Sequence, residues 1–183
     1  MNLANHLSVL RIILVPVFIG SFLYYSPERE WCYTLGLAIF VLACLTDGVD
    51  GYVARRLNQK TVLGSYIDPI ADKLLLLSGF LSLSFMSHLP GWMHIPAWVT
   101  IPVITRDVII LIGSAMIFLT TGSLKAEPIF IGKLTTVIQM GTLFVALIPF
   151  PGALKNTLFI LTVSLTVLSG MQYIRIGGKL IQS

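Results

Sequence analysis

Charged side chains are scarce in this sequence. Asp, Glu, Lys and Arg make up 11% of its 183 residues, against roughly a quarter in soluble domains. That shortage excludes an ordinary water-soluble globule. Cysteine is nearly missing too: Cys32 and Cys44 are the only two, and neither has metal-ligand spacing. No basic run interleaved with aromatic residues occurs, so the net charge of +4 does not point to nucleic acid; cytoplasmic loops biased toward Lys and Arg explain it. There is no internal repeat, no low-complexity tract and no small-residue cleavage site after the first apolar run, which reads as a retained helix rather than a signal peptide. What the chain has in excess is hydrocarbon: 56% of its residues are hydrophobic and its mean hydropathy is +0.89. The expectation is an all-α integral membrane protein, one domain over residues 1–183, with room for about five to seven spans of roughly 20 residues.

Breaks in the apolar sequence divide it into six segments, at about Leu7–Tyr25, Trp31–Ala54, Leu63–Ser87, Ala97–Thr120, Ile129–Ile148 and Leu154–Ile176. The breaks are polar or rich in Pro and Gly: Ser26 to Glu30, Arg55 to Thr61, His88 to Pro96, Thr121 to Pro128, and Pro149 to Gly152. Six transmembrane helices in one bundle put both termini on the same side. The links after spans one, three and five carry only Arg29 and Lys155 as cations, whereas the other side collects Arg55, Arg56, Lys60, Lys125, Arg175 and Lys179. The positive-inside bias then places both termini and the 55–61 link in the cytoplasm. Trp31, Trp92 and Trp98, near span ends, suit an interfacial belt.

One stretch departs from this pattern. Thr46 to Lys73 holds Asp47, Asp50, Asp68 and Asp72, four of the eight acidic residues in the chain. Carboxylates beside membrane-spanning helices are costly and usually carry function. At 3.6 residues per turn, Asp47, Asp50, Gly51 and Ala54 share one stripe of the second helix, with Arg55 at its margin. Gly64, Asp68, Asp72, Leu75 and Gly79 share a stripe of the third. The short link makes the two helices antiparallel neighbours whose stripes can face each other. Four facing carboxylates need protons or metal, and an all-oxygen set suits Mg²⁺, Mn²⁺ or Ca²⁺ rather than zinc. Two such ions are the usual device for transfer at phosphorus, and Arg55 offers a fork of donors to a phosphate. Two other readings compete. Isolated Asp residues serve as helix caps, but four at i, i+3 and i, i+4 spacing fit that poorly. A divalent-cation transporter would also line a path with acid, but gains nothing from Arg55, and these four residues cluster near one face.

The pattern Asp47-x2-Asp50-Gly51-x2-Ala54-Arg55-x8-Gly64-x3-Asp68-x3-Asp72 resembles the signature of the CDP-alcohol phosphatidyltransferases, with eight positions at fixed spacing across 26 residues. The resemblance extends to an Asn5-x2-Ser8-x2-Arg11 block and to Gly132-Lys133 at the start of the fifth span. It implies transfer of the phosphatidyl group of CDP-diacylglycerol to an alcohol with release of CMP; the cation bias of the links, with the four carboxylates beside the 55–61 link, is what opens the site to the cytoplasmic face. It also implies Asp47, Asp50 and Asp68 as ligands of Mg²⁺ or Mn²⁺, two ions in all, with Asp72 either sharing a metal or acting as the general base. Gly51, Ala54, Arg55 and Gly64 would line the site of the cytidine diphosphate lipid. Family members are often homodimers.

The acceptor is decided elsewhere. The look is of the anionic branch, whose acceptors are glycerol 3-phosphate (the phosphatidylglycerophosphate synthase type) or phosphatidylglycerol (the CMP-forming cardiolipin synthase type). Arg106, Lys133 and Arg11 are the candidate cations for the acceptor. Arg106 could instead be neutralised by Asp107 beside it, and Lys133 could extend to the interface. Many glycerophosphate members carry a further Arg where Ser114 stands and a Lys where Thr135 stands, and both differences lean toward the cardiolipin type. Glycerol 3-phosphate is the leading expectation because that type is the commoner, with phosphatidylglycerol as the alternative.

Overall fold

In a computed structural model the chain is helical. The structure describes the backbone of residues 3–57, 62–121 and 130–182, and the side chains of 9–46, 70–71, 73–114 and 130–176. Among the described residues there are six helices and no strand: α1 (Leu3–Leu23), α2 (Glu30–Leu57), α3 (Val62–Phe85), α4 (Ala97–Thr121), α5 (Phe130–Ala146) and α6 (Gly152–Gln182). Each corresponds to one apolar segment of the sequence, with ends displaced by a few residues. Proline marks two of the starts. The carbonyl of Pro96 accepts the amides of Val99 and Thr100, and that of Pro151 accepts the amide of Lys155. At the end of α1 the carbonyl of Phe22 accepts the amide of Tyr25 at 3.3 Å and lies 2.8 Å from a ring nitrogen of His88.

The helices group into two compact units, residues 1–94 and 95–183. In the first, α1 packs against both α2 and α3. Its buried stripe is Arg11, Val15, Phe18 and Phe22, at intervals of three and four residues, while Leu10, Ile13 and Val17 point outward. Phe18 meets Phe22 edge-on at 5.0 Å between ring centroids and lies 6.3 Å from Phe40 of α2. Gly36 makes the α1–α2 approach possible. A Cβ there would stand 2.6 Å from both the Phe22 ring and the Ser21 hydroxyl, so these two α1 side chains fill the space that a side chain on α2 would need.

In the second unit α6 packs against both α4 and α5. The α5–α6 seam is polar: Thr135, Gln139 and Thr142 of α5 meet α6 around Thr162 and Thr166, all buried. The Gln139 amide donates to the Thr166 hydroxyl at 3.2 Å, the Thr142 and Thr162 hydroxyls are 2.6 Å apart, and the Thr135 hydroxyl donates to the carbonyls of Ile131 and Leu165. The outward faces are apolar, with Ile101, Val108, Leu111 and Ile112 on α4 and Leu154, Ile160, Val167 and Ile174 on α6 exposed. Polar residues inside and Leu, Ile and Val outside are what helix association in hydrocarbon produces, since lipid gives apolar faces no reason to hide. Ala97–Ser114 and Gly152–Ile176 are long and apolar enough to cross a membrane, and shorter apolar helical stretches occur at Val9–Leu23, Glu30–Thr46, Lys73–Phe85 and Phe130–Ala146. Trp31, Trp92 and Trp98 are exposed.

Candidate active site

The acidic stretch lies on helical backbone on both sides of its link. α2 continues to Leu57 and α3 begins at Val62. Asp47, Asp50, Gly51, Ala54 and Arg55 therefore share one uninterrupted helix, and Gly64, Asp68 and Asp72 share the next. Separations of three and four residues put each aspartate pair one turn apart on one face. The facing of the two stripes rests on side chains outside those described. Among the described residues no three His, Cys, Asp or Glu side chains come together; the four aspartates lie outside that set. Arg11 stands on α1, the helix that packs against both α2 and α3, and is buried at 1% exposure. Burying a guanidinium is costly, so Arg11 is a candidate site residue by its burial.

The second unit holds a built cluster around Arg106. This residue of α4 is 5% exposed and Asp107 is 8% exposed. The Arg106 Nη1 donates to Asp107 Oδ1 at 2.7 Å, a charge-assisted bond between chain neighbours. Nε and Nη2 donate to the Ser169 hydroxyl of α6 at 3.3 and 2.9 Å, and Nη2 reaches the Gly132 carbonyl of α5 at 3.5 Å. The guanidinium also sits 5.7 Å from the centre of the Tyr173 ring, within cation–π range. Four contacts thus join α4, α5 and α6 at one charged group, and the pairing with Asp107 that the sequence left open is made.

Gly132 is glycine for a local reason. A Cβ there would stand 3.0 Å from the Tyr173 hydroxyl and 3.3 Å from Arg106 Nη2, so the arginine and tyrosine fill the space a side chain would take. Lys133, the next residue, is exposed. Thr135 is buried in the α5–α6 seam with its hydroxyl already committed to two carbonyls, and Ser114 is half-buried on α4. Beside Arg106 a cavity of about 360 Å³ opens between α4 and α6, lined by Pro102, Thr105, Ile109, Val167, Gly170 and Ile174 among others. Ser169 and Tyr173 were not singled out by the sequence. Their signal is faint: a hydroxyl, a glycine and a tyrosine at i, i+1 and i+4 on a helix that carries several other polar residues.

An apolar helical chain with paired aspartates on consecutive helices and buried arginines on α1 and α4 is the setting in which similarity to known proteins becomes informative. The family model for CDP-alcohol phosphatidyltransferase matches residues 1–168. The chain belongs to the CDP-alcohol phosphatidyltransferase family. Among its relatives, a probable phosphatidylglycerophosphate synthase of Mycobacterium tuberculosis (strain ATCC 25618 / H37Rv) is 33% identical over 176 residues, covering 94% of this chain and 80% of the relative. The CDP-diacylglycerol–glycerol-3-phosphate 3-phosphatidyltransferase of Aquifex aeolicus is 33% identical over 187 residues, covering 99% of this chain and 98% of the relative. The enzyme of the same name from Bacillus subtilis is 30% identical, covering 94% of this chain and 93% of the relative.

Proposed function

We propose that the chain transfers the phosphatidyl group of CDP-diacylglycerol to glycerol 3-phosphate, releasing CMP and forming phosphatidylglycerophosphate. The observation that carries this reading is near-full-length similarity to relatives named for that reaction, in a chain whose eight-position signature is complete. The acceptor's hydroxyl oxygen bonds to the phosphorus attached to diacylglycerol, the bond from that phosphorus to the CMP oxygen breaks with its electron pair leaving on CMP, and the hydroxyl proton passes to Asp72. Arg55, with Gly51, Ala54 and Gly64 beside it, holds the diphosphate and nucleotide. Arg106, Lys133 and Arg11 supply positive charge for the acceptor. Family membership favours this reaction over a divalent-cation transporter.

Asp47, Asp50, Asp68 and Asp72 hold divalent metal in this reading. They stand one turn apart in pairs on continuous helix, and an all-oxygen donor set fits a hard cation, Mg²⁺ or Mn²⁺, two ions rather than one. When bound, such ions neutralise phosphate charge and stabilise the leaving oxygen. The topology that accompanies the reading has six spans, both termini and the site at the cytoplasmic face, and two copies of the single-domain chain paired. Its support is the cation bias of the links and the apolar helices already described.

The test is purified full-length protein with CDP-diacylglycerol and Mg²⁺, offered one acceptor at a time, with CMP and the lipid product both identified. Glycerol 3-phosphate should release CMP and yield phosphatidylglycerophosphate. Release with phosphatidylglycerol instead would make the enzyme the cardiolipin type, a reading favoured by Thr135, which stands buried where many glycerophosphate enzymes carry a lysine. No CMP with any acceptor would refute the transferase reading.

A further inference from the structure

Arg106 is a natural candidate for gripping the acceptor's phosphate, but four of its five N–H donors are committed. Nε and Nη2 are on Ser169, Nη1 is on Asp107 at 2.7 Å, and Nη2 also reaches the Gly132 carbonyl. The side chain is 5% exposed and rests over Tyr173. A bidentate grip on a phosphate needs two parallel free N–H groups, which this arrangement does not present. Lys133 is in the opposite condition. It is exposed in the first turn of α5, and among the described residues its ammonium has no hydrogen bond or ion pair. It also follows Gly132, the residue whose carbonyl faces Arg106 and whose missing side chain admits both Arg106 and Tyr173.

We propose that Arg106 is a positioning residue: clamped by Ser169 and Tyr173 of α6, it fixes the first turn of α5 and thereby aims Lys133, which makes the direct contact with the acceptor's phosphate. Ser169 and Tyr173 are then specificity-supporting residues that never touch substrate. The proposal rests on the acceptor being a phosphate ester, as in the reading above. A lysine is suited to this contact because its ammonium acts as a point charge that tolerates rotation of a small dianion.

The experiment is steady-state kinetics on the full-length protein, varying glycerol 3-phosphate and CDP-diacylglycerol separately, for Lys133→Ala, Ser169→Ala, Ser169→Thr and the Lys133→Ala/Ser169→Ala pair. Hydrogen bonds to a charged group are strong enough that their loss changes affinity on the order of tenfold. Lys133→Ala and Ser169→Ala should each raise KM for glycerol 3-phosphate about tenfold, with KM for CDP-diacylglycerol unchanged. Ser169→Thr, which keeps the hydroxyl, should restore the native value. In the pair, Ser169→Ala should add little to Lys133→Ala, because the two act through one contact. Additive effects, or an unchanged KM in Ser169→Ala, would overturn the positioning role. An unchanged KM in Lys133→Ala would instead overturn the acceptor assignment on which the proposal rests. If Ser169→Ala does not accumulate as folded protein, Tyr173→Leu removes the ring beneath the guanidinium, leaves both Ser169 bonds, and carries the same expectations.

Discussion

Gly36 is tightly enclosed by the α1 side chains packed against it. Substituting Ala places a methyl carbon 2.6 Å from Phe22 Cζ and from the Ser21 hydroxyl, and 2.8 Å from Phe22 Cε2. Neither neighbour can retreat easily. Phe22 is fully buried and locked edge-on to Phe18, and the Ser21 hydroxyl is bonded to the Phe18 carbonyl at 2.7 Å. Overpacking of this kind costs about 1–3 kcal/mol. Ala is a better helix former than Gly by about 1 kcal/mol, which offsets part of that. Gly20 on α1 supplies the control, since a Cβ there meets nothing within 4 Å, so Gly20→Ala keeps only the propensity gain. The two variants should therefore differ by about 2 kcal/mol, a separation of roughly 4–8 °C in midpoint for a chain of this size. Cys32, 1% exposed on α2, provides the probe: in a Cys44→Ser background, reaction of its thiol with a fluorogenic maleimide during a thermal ramp in detergent reports opening of the α1–α2 contact. Gly36→Ala melting at or above Gly20→Ala would refute the close approach of the two helices.

Other perturbations separate the two units and the two substrates. Gly132→Ala pushes a methyl toward Tyr173 and Arg106 Nη2 and should reduce transfer about tenfold at limiting glycerol 3-phosphate, checked against unchanged binding of CDP-diacylglycerol. Asp72→Asn should abolish transfer while CDP-diacylglycerol still binds, measured by equilibrium binding of labelled lipid; equal loss of binding would make Asp72 a metal ligand only. EDTA should abolish CMP release, and Mg²⁺ or Mn²⁺ should restore it where Zn²⁺ does not. Thr142→Val removes the 2.6 Å hydroxyl pair with Thr162 and should lower stability by only about 0.6 kcal/mol, the usual size of such bonds between helices in membranes.

The helices were legible because each break between them is chemically abrupt. Ser26 to Glu30 and Pro149 to Gly152 stop an apolar run within two or three residues, and the observed ends follow. The end of α6 was not legible in the same way: it continues to Gln182 through Gly177, Gly178 and Lys179, where hydropathy falls although the backbone stays helical. Packing partners were harder still. The short link after Leu57 makes α2 and α3 consecutive, yet among the described residues each is seen packed on α1, and the α1–α2 contact is made by Gly36 against Phe22 and by Phe40 near Phe18, which link length does not reveal. The aspartate signature could be read from spacing alone because all its members fall on two adjacent helices. The Arg106 cluster could be read only in part. Asp107 is its chain neighbour and was an evident partner, whereas Ser169 is 63 residues away, and nothing in one sequence says which face of α6 meets α4.

The most direct measurement follows label from water into lipid. Full-length protein in detergent with CDP-diacylglycerol and Mg²⁺ is given radiolabelled glycerol 3-phosphate, and the chloroform-extractable product is counted beside the CMP released. Transfer of the phosphatidyl group to glycerol 3-phosphate predicts one labelled lipid molecule per CMP, and neither product when glycerol 3-phosphate is withheld. CMP release that leaves all label in the aqueous phase, or that proceeds only with phosphatidylglycerol, would contradict it.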